Sequence, residues 1–341
     1  MTLDIVHAVR SDGFAGVERH IASLAAAQAA AGHRVRVIGG DPRAMRAALG
    51  TDAVPHRPAV TVLDTAWAID RWRDCDILHV HMTAAEVAAV LAVRARRVPV
   101  VSTRHFGGRR GSSRAGGLAA PFAQRRIAVQ IAISHYVASL IEGESTVVQH
   151  GVPVAEGWWP AAQRQRRILV AQRLEAEKAT DVAIRAFARA GLAEQGWTLD
   201  IAGNGAERPA LERLARHLDV EGAVRFLGHR DDIGTLMREA ALLLAPCPVE
   251  GLGLTLLEAM AVGLPVVAAG AGGHLETVGA ADGAALFAPG DASEAARLVA
   301  HLAADPALRD RYGAALQSLQ RAHFTIAEQA RATESVYRSV L

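Results

Sequence analysis

The chain has 341 residues, of which 51% are hydrophobic, so it is long enough for two domains of ordinary size. A formal net charge of only +2 argues against a protein that binds polyanions over its whole surface. The two cysteines, Cys75 and Cys247, are distant and lack metal-ligand spacing, which predicts a reducing, cytoplasmic setting without a disulfide. The apolar runs at 3–9 and 21–31 are too short to predict a signal peptide or a transmembrane helix.

Alternating strand and helix patterns fill the first half of the chain. Apolar runs predict strands at 3–9, 34–38, 76–81, 98–103, 129–133 and 146–148. The segments between them predict helices at 17–31, 43–49, 65–72, 84–96 and from 134 onward. Strands that alternate with helices are typical of a parallel sheet covered on both faces, so we expect one α/β domain here.

His105 directly follows the predicted strand 98–103. Ligands bind at the carboxyl ends of strands in open α/β sheets, so this histidine is a candidate site residue. A lone histidine is more often structural, and the residues alone leave that alternative open. His79 and His81, at the end of the preceding strand, are expected to pack or to support the site.

Between Glu86 and Glu142 there are nine arginines and no acidic residue. Several of these arginines lie in the glycine- and serine-rich loop 104–117, RHFGGRRGSSRAGG. Such a loop suits an anionic acceptor or an anionic membrane surface, and an ordinary solvated loop is the competing interpretation. Nucleic acid is the weakest alternative, because Phe106 is the loop's only aromatic residue.

A linker at 154–166 precedes a second alternating series. Its predicted strands are 167–171, 197–202, 224–227, 241–245 and 266–269, and its later helices are 274–278, two over 291–321, and 326–340. Arg173 and Lys178 stand between the first of these strands and the next helix, where two cations can neutralise a diphosphate. Lys178 is the only lysine among 37 basic residues, which suggests that lysine is needed there. A salt bridge to a nearby glutamate is the structural alternative.

The most informative stretch is 246–273, PCPVEGLGLTLLEAMAVGLPVVAAGAGG. Gly251 and Gly253 let backbone amides approach a ligand, and a helix starting near Thr255 adds partial positive charge. The carboxylates of Glu250 and Glu258 can each accept two hydrogen bonds from a diol. The competing interpretation is a capping box, in which Glu258 only satisfies a helix start at Thr255.

Within this stretch, E-G-x-G-L-T-x-x-E-A-M-A-x-G-x-P-V-V resembles the E-x7-E signature of family 4 glycosyltransferases, retaining enzymes of the GT-B fold. The resemblance implies that Glu258 binds the donor ribose and that Glu250 contacts the transferred sugar. The backbone of Gly251, Leu252, Gly253 and Leu254 is then implied to hold the sugar and phosphate.

The same resemblance covers nearly the whole chain and implies further roles. Arg173 and Lys178 match an R…K pair that binds the donor phosphates, and VVSTRH matches the context in which a histidine, here His105, lies by the transferred sugar. Gly16 matches one of two glycines that face the donor phosphates and the acceptor, with Ala15 in place of the other. Gly203, in a glycine turn after a strand, joins the donor site, and His150 stands where the family has asparagine.

The pattern and the resemblance together predict an α/β protein of the GT-B type, with two Rossmann-like domains facing each other across a cleft. We expect an acceptor-binding domain at 1–155 and a nucleotide-sugar-binding domain at 156–325. Residues 326–341 are expected to form a C-terminal helix that packs back on the first domain. Neither half has a G-x-G-x-x-G fingerprint with a following acidic residue, and no Walker A sequence is present, which counts against a dehydrogenase and an NTPase.

The predicted activity is that of a retaining, metal-independent hexosyltransferase. It would move a sugar from a nucleotide sugar, with UDP favoured and GDP next, to a hydroxyl acceptor such as a glycan, glycolipid or secondary metabolite. Arg173 and Lys178 would stabilise the departing diphosphate, and Glu250 and His105 would orient the sugar. We expect no cofactor, no metal and no nucleic acid partner; an anionic or membrane-associated acceptor would put this cytoplasmic protein at the inner membrane face.

Two other classes of function stay open. A nucleotide-sugar epimerase or a sugar-phosphate synthase could use the same fold. A non-catalytic protein that binds a nucleotide sugar or an anionic surface is the remaining alternative.

Overall fold

The computed structural model describes residues 1–50, 53–108, 110 and 121–341. These residues form two compact units, and each unit contains one sheet. The first unit is Met1–Gly151 together with Ile326–Leu341, and the second is Val152–Thr325. The described strand pairs are parallel in both sheets.

Seven strands among the described residues form the sheet of the first unit. They are β1 (Asp4–Val9), β2 (Arg34–Ile38), β3 (His56–Arg57), β4 (Ile77–His81), β5 (Val100–Arg104), β6 (Val129–Ala132) and β7 (Thr146–Val147). Their order across the sheet is β3-β2-β1-β4-β5-β6-β7. The helices of this unit are α1 (Gly16–Ala30), α2 (Pro42–Leu49), α3 (Val62–Arg71), α4 (Met82–Leu91), α5 (121–126), α6 (His135–Leu140) and α13 (Ile326–Arg338).

The central strands of the first unit are buried because helices cover the sheet. Every residue of β4 and β5 is buried, as a parallel sheet between helix layers requires. Helix α13 belongs to this unit although it lies at the end of the chain. Its Tyr337 is 0% exposed and lies in the same apolar core as Ile5 and Ile21.

Six strands form the sheet of the second unit. They are β8 (Gln165–Ala171), β9 (Thr198–Ala202), β10 (Val224–Gly228), β11 (Ala240–Ala245), β12 (Val266–Ala269) and β13 (Ala285–Phe287), in the order β10-β9-β8-β11-β12-β13. The helices are α7 (Thr180–Arg189), α8 (Arg208–His217), α9 (Ile233–Glu239), α10 (Leu254–Ala261), α11 (Ala292–Ala304) and α12 (Pro306–His323). The predicted α/β architecture of Rossmann-like domains is therefore confirmed.

Two short strands and one turn differ from the sequence predictions. β3 has two residues and β13 has three, and such short runs give no readable periodicity. The short helix predicted at 274–278 is instead divided between two separate 3-10 helices, Gly272–Leu275 and Val278–Ala280.

The strand order of each sheet creates a natural place for a ligand. In the first unit the order reverses between β1 and β4, and in the second it reverses between β8 and β11. Ligands in open α/β sheets bind outside the carboxyl ends of the strands at this reversal. The residues that follow Ala171 and Ala245 therefore occupy the expected binding position of the second unit.

Candidate functional site

The second unit brings two predicted site residues into direct contact at this position. Lys178 lies on the turn after β8, and Glu250 lies on the loop after β11. The Nζ atom of Lys178 donates a hydrogen bond to a carboxylate oxygen of Glu250 at 2.7 Å. The two side chains keep 15% and 29% of their surface exposed, so the ion pair is partly shielded and still reachable from solvent.

The turn that carries Lys178 is held by its own backbone and by a neighbouring amide. The side chain of Gln172 donates to the carbonyl oxygen of Lys178 at 2.9 Å and to the hydroxyl of Thr180 at 2.9 Å. Ala179 adopts a left-handed conformation with φ 52°. A φ near +50° is easy for glycine and strained for alanine.

Both members of the ion pair are charged near neutral pH. Burial opposes the charge of Lys178, but the attraction and hydrogen bond of Glu250 outweigh it, so the pKa of Lys178 is raised. Burial likewise opposes ionisation of Glu250, but the charge and hydrogen bond of Lys178 outweigh it, so the pKa of Glu250 is lowered. The salt-bridge alternative raised for Lys178 is thus a real contact in this structure, and binding of a diphosphate by Lys178 stays a prediction.

Arg173 is the second predicted cation of this site, and its position differs from that of Lys178. Its side chain is 68% exposed and contacts Glu177 at 3.1 Å. An exposed pair of this kind contributes little to folding stability. The guanidinium can therefore leave Glu177 for an incoming anion at little cost.

The glycine loop after Glu250 is tightly packed. Gly251, Leu252 and Gly253 are buried, and Gly253 has φ 95°, a conformation that favours glycine. Gly273 packs against this loop so closely that a side-chain carbon there would lie 2.3 Å from the Cα of Leu252. Its amide also donates to the carbonyl oxygen of Glu250 at 2.8 Å. The loop before α10 is thus preformed by backbone contacts.

The capping-box interpretation of Glu258 is wrong. Helix α10 begins at Leu254, and its N-cap is Gly253, which makes no side-chain capping bond. Glu258 is then the fifth helical residue, in the second turn, and a capping box needs the third. The predicted helix start at Thr255 is displaced by one residue, and the ligand role of Glu258 stays a prediction.

His274 is a site neighbour that the sequence did not single out. It is 1% exposed, and its Nδ1 donates to the carbonyl oxygen of Ala269 at 3.0 Å. Burial lowers the pKa of His274, and its ring also acts on Glu250 electrostatically. Its place just after β12 and a glycine loop is the same signal that identified His105.

Gly203 has a structural reason to be glycine. Its φ is +144°, and a side-chain carbon there would lie 1.9 Å from the carbonyl oxygen of Gln172. Its amide donates to the carbonyl oxygen of Gly228 at 2.7 Å. Close backbone packing is thus sufficient to require glycine, and the predicted donor contact of Gly203 stays a prediction.

Gly16 in the first unit behaves differently. It is the first residue of α1 and is exposed, and a side-chain carbon there would meet nothing within 4 Å. Packing within the described residues therefore gives no reason for glycine at this position, and the predicted approach of a ligand to Gly16 stays a prediction.

A cluster of six histidines lies in the first unit, around the carboxyl ends of its central strands. The members are at most 6% exposed and comprise His7, His20, His79, His81, His105 and His150. His105 lies just past β5, as predicted, and contacts His81 with 3.1 Å between their ring nitrogens. His20 and His150 stack with ring centroids 4.0 Å apart. The sequence pointed to His105 and placed its neighbours in supporting roles, but it did not predict a continuous cluster.

Burial keeps the cluster uncharged. It lowers the pKa of His105 to about 3 and that of His7 to about 4. It also lowers the pKa values of His20, His79, His81 and His150 well below the ordinary range, and neighbouring imidazoles add to this effect. At neutral pH each ring therefore has one protonated nitrogen and one lone pair.

Two sets of three histidines could hold a metal by distance alone. They are His7, His79 and His81, and His20, His105 and His150. In the first set both ring nitrogens of every member already make hydrogen bonds. In the second set, Gly151 fixes the amide of Gln329 so that it donates to Nδ1 of His20. In the first set a metal would have to displace these bonds, whereas in the second set Nε2 of His150 is buried without a hydrogen-bond partner among the described residues.

The arginine-rich loop 104–117 lies partly outside the described residues, since 109 and 111–117 are not among them. Its two described arginines make internal ion pairs. Arg110 donates to Glu86 at 2.6 Å and to Glu142 at 2.7 Å, and Arg104 donates to Glu142 at 3.2 Å. Glu86 is 1% exposed and needs a partner. Arg104 and Arg110 thus have internal partners, and contact of the loop with an external anion stays a prediction.

Among the described residues, no helix has the length and apolar character needed to cross a membrane.

Comparison with known proteins follows the division into two units. The family described as glycosyl transferases group 1 matches residues 159–318, and the family described as glycosyltransferase family 4 matches residues 14–156. Between them the two matches span most of both units.

Individual relatives show the same pattern. A glycogen synthase of Mycobacterium tuberculosis is 29% identical over 94% of this chain and 90% of its own. LpcC, a lipopolysaccharide core biosynthesis mannosyltransferase of Rhizobium leguminosarum bv. viciae, is 33% identical over 64% of this chain and 66% of its own. The crystal structure of Anabaena HepE in complex with UDP and glucose aligns with a TM-score of 0.79 at 20% identity, over 99% of this chain and 100% of that chain.

Proposed function

The chain belongs to the glycosyltransferases of group 1 and family 4, and on this premise we propose that it moves a sugar from a nucleotide-sugar donor to a hydroxyl acceptor with retention of configuration. The donor is bound by the second unit, with the diphosphate at the turn after β8 and the sugar at the loop after β11.

The contact between Lys178 and Glu250 carries this proposal. A lysine ammonium has three donors, and the bond to Glu250 uses one of them. The ammonium therefore has donors for the oxygens of a diphosphate as well. Glu250 in turn has acceptor capacity for the hydroxyls of the transferred sugar. One contact thus links the group that neutralises the leaving diphosphate to the group that orients the sugar.

Charge stabilisation is the main catalytic contribution of this site. Negative charge grows on the diphosphate as the bond to the sugar breaks, and preorganised cations lower the energy of that state. Lys178 is fixed by its turn, and Arg173 can swing in from its exposed contact with Glu177. Because two cations of the chain supply this charge, the proposed reaction needs no metal ion.

The remaining contacts follow from the positions of the other residues. Glu258, half-buried on α10, accepts hydrogen bonds from the donor ribose. The loop from Gly251 to Leu254 offers backbone amides at the start of that helix, which favours negatively charged groups. In the first unit, His105 accepts a hydrogen bond from a hydroxyl of the sugar substrate.

UDP is the first choice of nucleotide, with GDP second. Anabaena HepE was crystallised with UDP and with UDP-glucose, and it has the fold of this chain. The acceptor is a hydroxyl compound, either neutral or anionic.

A thermal-shift panel tests the proposal directly. UDP, GDP, ADP, TDP and their common sugar conjugates are added to the full chain, with Lys178→Met and the exposed-cation control Arg185→Met measured in parallel. A ligand at about 100 times its Kd stabilises the folded state by about 2.7 kcal/mol. We expect one nucleotide and its sugar conjugate to raise the melting temperature of the wild type and Arg185→Met, and a much smaller rise for Lys178→Met.

The same panel can overturn the proposal. If none of the nucleotides shifts the wild-type melting temperature at millimolar concentration, the donor assignment fails. If a nucleotide binds, acceptor-dependent release of free nucleotide over many turnovers distinguishes a transferase from an epimerase or a binding protein.

A further inference from the structure

An unbroken series of hydrogen bonds joins His105 to Thr103 through the interior of the first unit. In order, the contacts are His105 Nε2 to His81 Nδ1 (3.1 Å), His81 Nε2 to His7 Nδ1 (3.1 Å), His7 Nε2 to Gln28 Oε1 (2.7 Å), Gln28 Nε2 to Tyr337 Oη (3.2 Å), Tyr337 Oη to His79 Nδ1 (2.6 Å) and His79 Nε2 to Thr103 Oγ1 (2.6 Å). We call this series the histidine relay. It begins at His105, just past β5, and ends at Thr103 within β5.

Gln28 sets the direction of every bond in the relay. Its Oε1 can only accept, so His7 must donate from Nε2, and its Nδ1 must then accept from Nε2 of His81. By the same rule, Nδ1 of His81 accepts from Nε2 of His105. A neutral imidazole has only one proton, so each bond fixes the next one.

Gln28 directs the bonds that lead from its Nε2 atom to Thr103 in the same way. The Nε2 of Gln28 donates to Tyr337, whose hydroxyl proton is then given to Nδ1 of His79. His79 donates from Nε2 to Thr103. If the Gln28 amide were turned over, each of these bonds would reverse, and the rings of His7, His79, His81 and His105 would change tautomer together.

The relay depends on uncharged rings, and its surroundings keep them so. Its histidines are at most 4% exposed, and Gln28 and Tyr337 are at most 1% exposed. The other rings beside it, His20 and His150, are also buried. Since the relay rings bond to other imidazoles, an amide and two hydroxyls, no carboxylate within it favours a protonated histidine.

We propose that Gln28, His7 and His81 are positioning residues that hold His105 as the tautomer protonated at Nε2, so that Nδ1 presents its lone pair to a hydroxyl of the sugar substrate. The role of His105 toward the sugar rests on the proposed function, whereas the tautomer rests only on the relay. A glutamine and two histidines that never touch substrate thereby determine whether His105 accepts or donates a hydrogen bond.

The tautomer can be measured without any activity assay. The full chain is labelled with 15N in histidine, and long-range 1H–15N correlations report which ring nitrogen carries the proton. The signals of His105 are identified by their loss in His105→Gln. We expect Nε2–H for His105 in the wild type at pH 7, and an Nδ1–H tautomer or an even mixture would overturn the proposal.

Variants of Gln28 test the control that the relay exerts. Gln28→Met removes the amide, so His105 should become a mixture of tautomers. Gln28→Glu keeps an acceptor beside His7 and should retain the Nε2–H form of His105, and the same correlations show whether the new carboxylate has protonated His7. Gln130→Met removes another buried amide of the same unit, outside the relay, and should leave the tautomer unchanged. A wild-type tautomer in a folded Gln28→Met protein would overturn the proposal, and if that variant fails to fold, the wild type and Gln28→Glu still decide it.

Kinetics then separate positioning from mere packing. In Gln28→Met we expect kcat to fall roughly two- to tenfold, the range that one hydrogen bond accounts for, with KM for the donor unchanged. In Gln28→Glu kcat should recover. An unchanged kcat in a variant whose His105 has changed tautomer would overturn the positioning role. Failure of the proposed function would appear instead as a lack of transfer by the wild type, with the expected tautomer still present.

Discussion

The Nζ atom of Lys178 lies 2.7 Å from a carboxylate oxygen of Glu250, although 72 residues separate them in the chain. The contact exists because β8 and β11 are neighbours in the sheet, and each residue follows the carboxyl end of one of them. Lys178 and Glu250 stabilise one another in the free protein, and in the proposed reaction each of them also contacts the donor. Stability and donor affinity can therefore be separated by mutation.

Replacing Lys178 with methionine should weaken both properties. We expect nucleotide affinity to fall about tenfold or more, because a charge-assisted hydrogen bond contributes about 1.5–3 kcal/mol. The free energy of unfolding should fall by about 1 kcal/mol, because Glu250 loses its partner while it is still partly buried. Calorimetric titration with UDP and urea unfolding measure the two effects.

A second substitution distinguishes the two tasks of this pair. Lys178→Met combined with Glu250→Gln removes the unpaired carboxylate, so stability should return toward the wild-type value while nucleotide affinity stays low. Recovery of affinity in the double variant would contradict a direct contact between Lys178 and the diphosphate.

Replacing Glu258 with glutamine should weaken nucleotide binding without destabilising the protein. Glutamine has nearly the size and shape of glutamate and keeps a hydrogen-bonding head group, so the packing of this side chain on α10 is largely retained. We expect UDP affinity to fall about tenfold and the melting temperature to change by less than about 2 °C. The exposed Glu221→Gln in the same unit is the control and should change neither. A large fall in melting temperature with normal affinity would assign Glu258 to structure.

Adding a methyl group at Gly16 should leave the fold intact. Apart from the neighbouring residues and the backbone of α1, no atom of the described residues lies within 4 Å of the added carbon, and alanine is a better helix former than glycine, so Gly16→Ala should be as stable as the wild type or more stable. If a ligand approaches the backbone here, kcat/KM should fall several-fold. Unchanged kcat/KM would remove Gly16 from the site.

Gly203→Ala is the informative contrast to Gly16→Ala. Its methyl group would lie 1.9 Å from a carbonyl oxygen of Gln172, and we expect a loss of about 1–3 kcal/mol or more in urea unfolding. A stable Gly203→Ala protein would show that the turn can move aside.

Stability should decline as the pH falls below about 6.5. Above that pH the histidines are neutral in both the folded and the unfolded chain, so they contribute no pH dependence. Below it the histidines are protonated in the unfolded chain but stay neutral in the folded cluster, because burial lowers the pKa of His7 to about 4 and that of His105 to about 3. This difference in bound protons favours the unfolded state. Each such histidine adds a slope of about 1.4 kcal/mol per pH unit between pH 6.5 and its folded pKa.

Urea unfolding between pH 6.5 and 5 measures this slope, because most carboxylates stay ionised in that range. His150→Asn introduces the residue typical of the family. It should reduce the slope by the contribution of one histidine, about 1.4 kcal/mol per pH unit. Gln195→Asn, at an exposed position without a titratable group, should leave it unchanged. An equal slope in His150→Asn would mean that His150 is protonated in the folded state.

The sequence was sufficient for the parts of the site that lie on single loops. Glu250, its glycines and the following helix form one continuous motif, and the family that this motif indicates is confirmed by the two family matches. The start of α10 was misplaced because Thr255 and Glu258 have the spacing of a capping box, whereas Gly253 supplies the left-handed turn that begins the helix.

The relay could not be predicted, because its members are far apart in the chain. The ring of His7 meets that of His81 across 74 residues, and Gln28 meets Tyr337 across 309. No local pattern predicts such contacts. The ion pairs of Arg110 could not be predicted for a similar reason. Its partners, Glu86 and Glu142, stand at the two ends of the arginine-rich segment, far from Arg110 in the chain.

Tyr337 has a consequence for how the protein is made. The first unit consists of two stretches of chain, and the second unit is encoded between them. On the ribosome, residues 1–151 emerge early with an unfinished core and an open relay, and they wait while 152–325 are synthesised. The second unit is continuous and can complete its core as soon as it emerges. The first unit, whose synthesis starts first, is thus the last to reach its final structure. It does so when α13 brings Tyr337 into contact with Gln28 and His79.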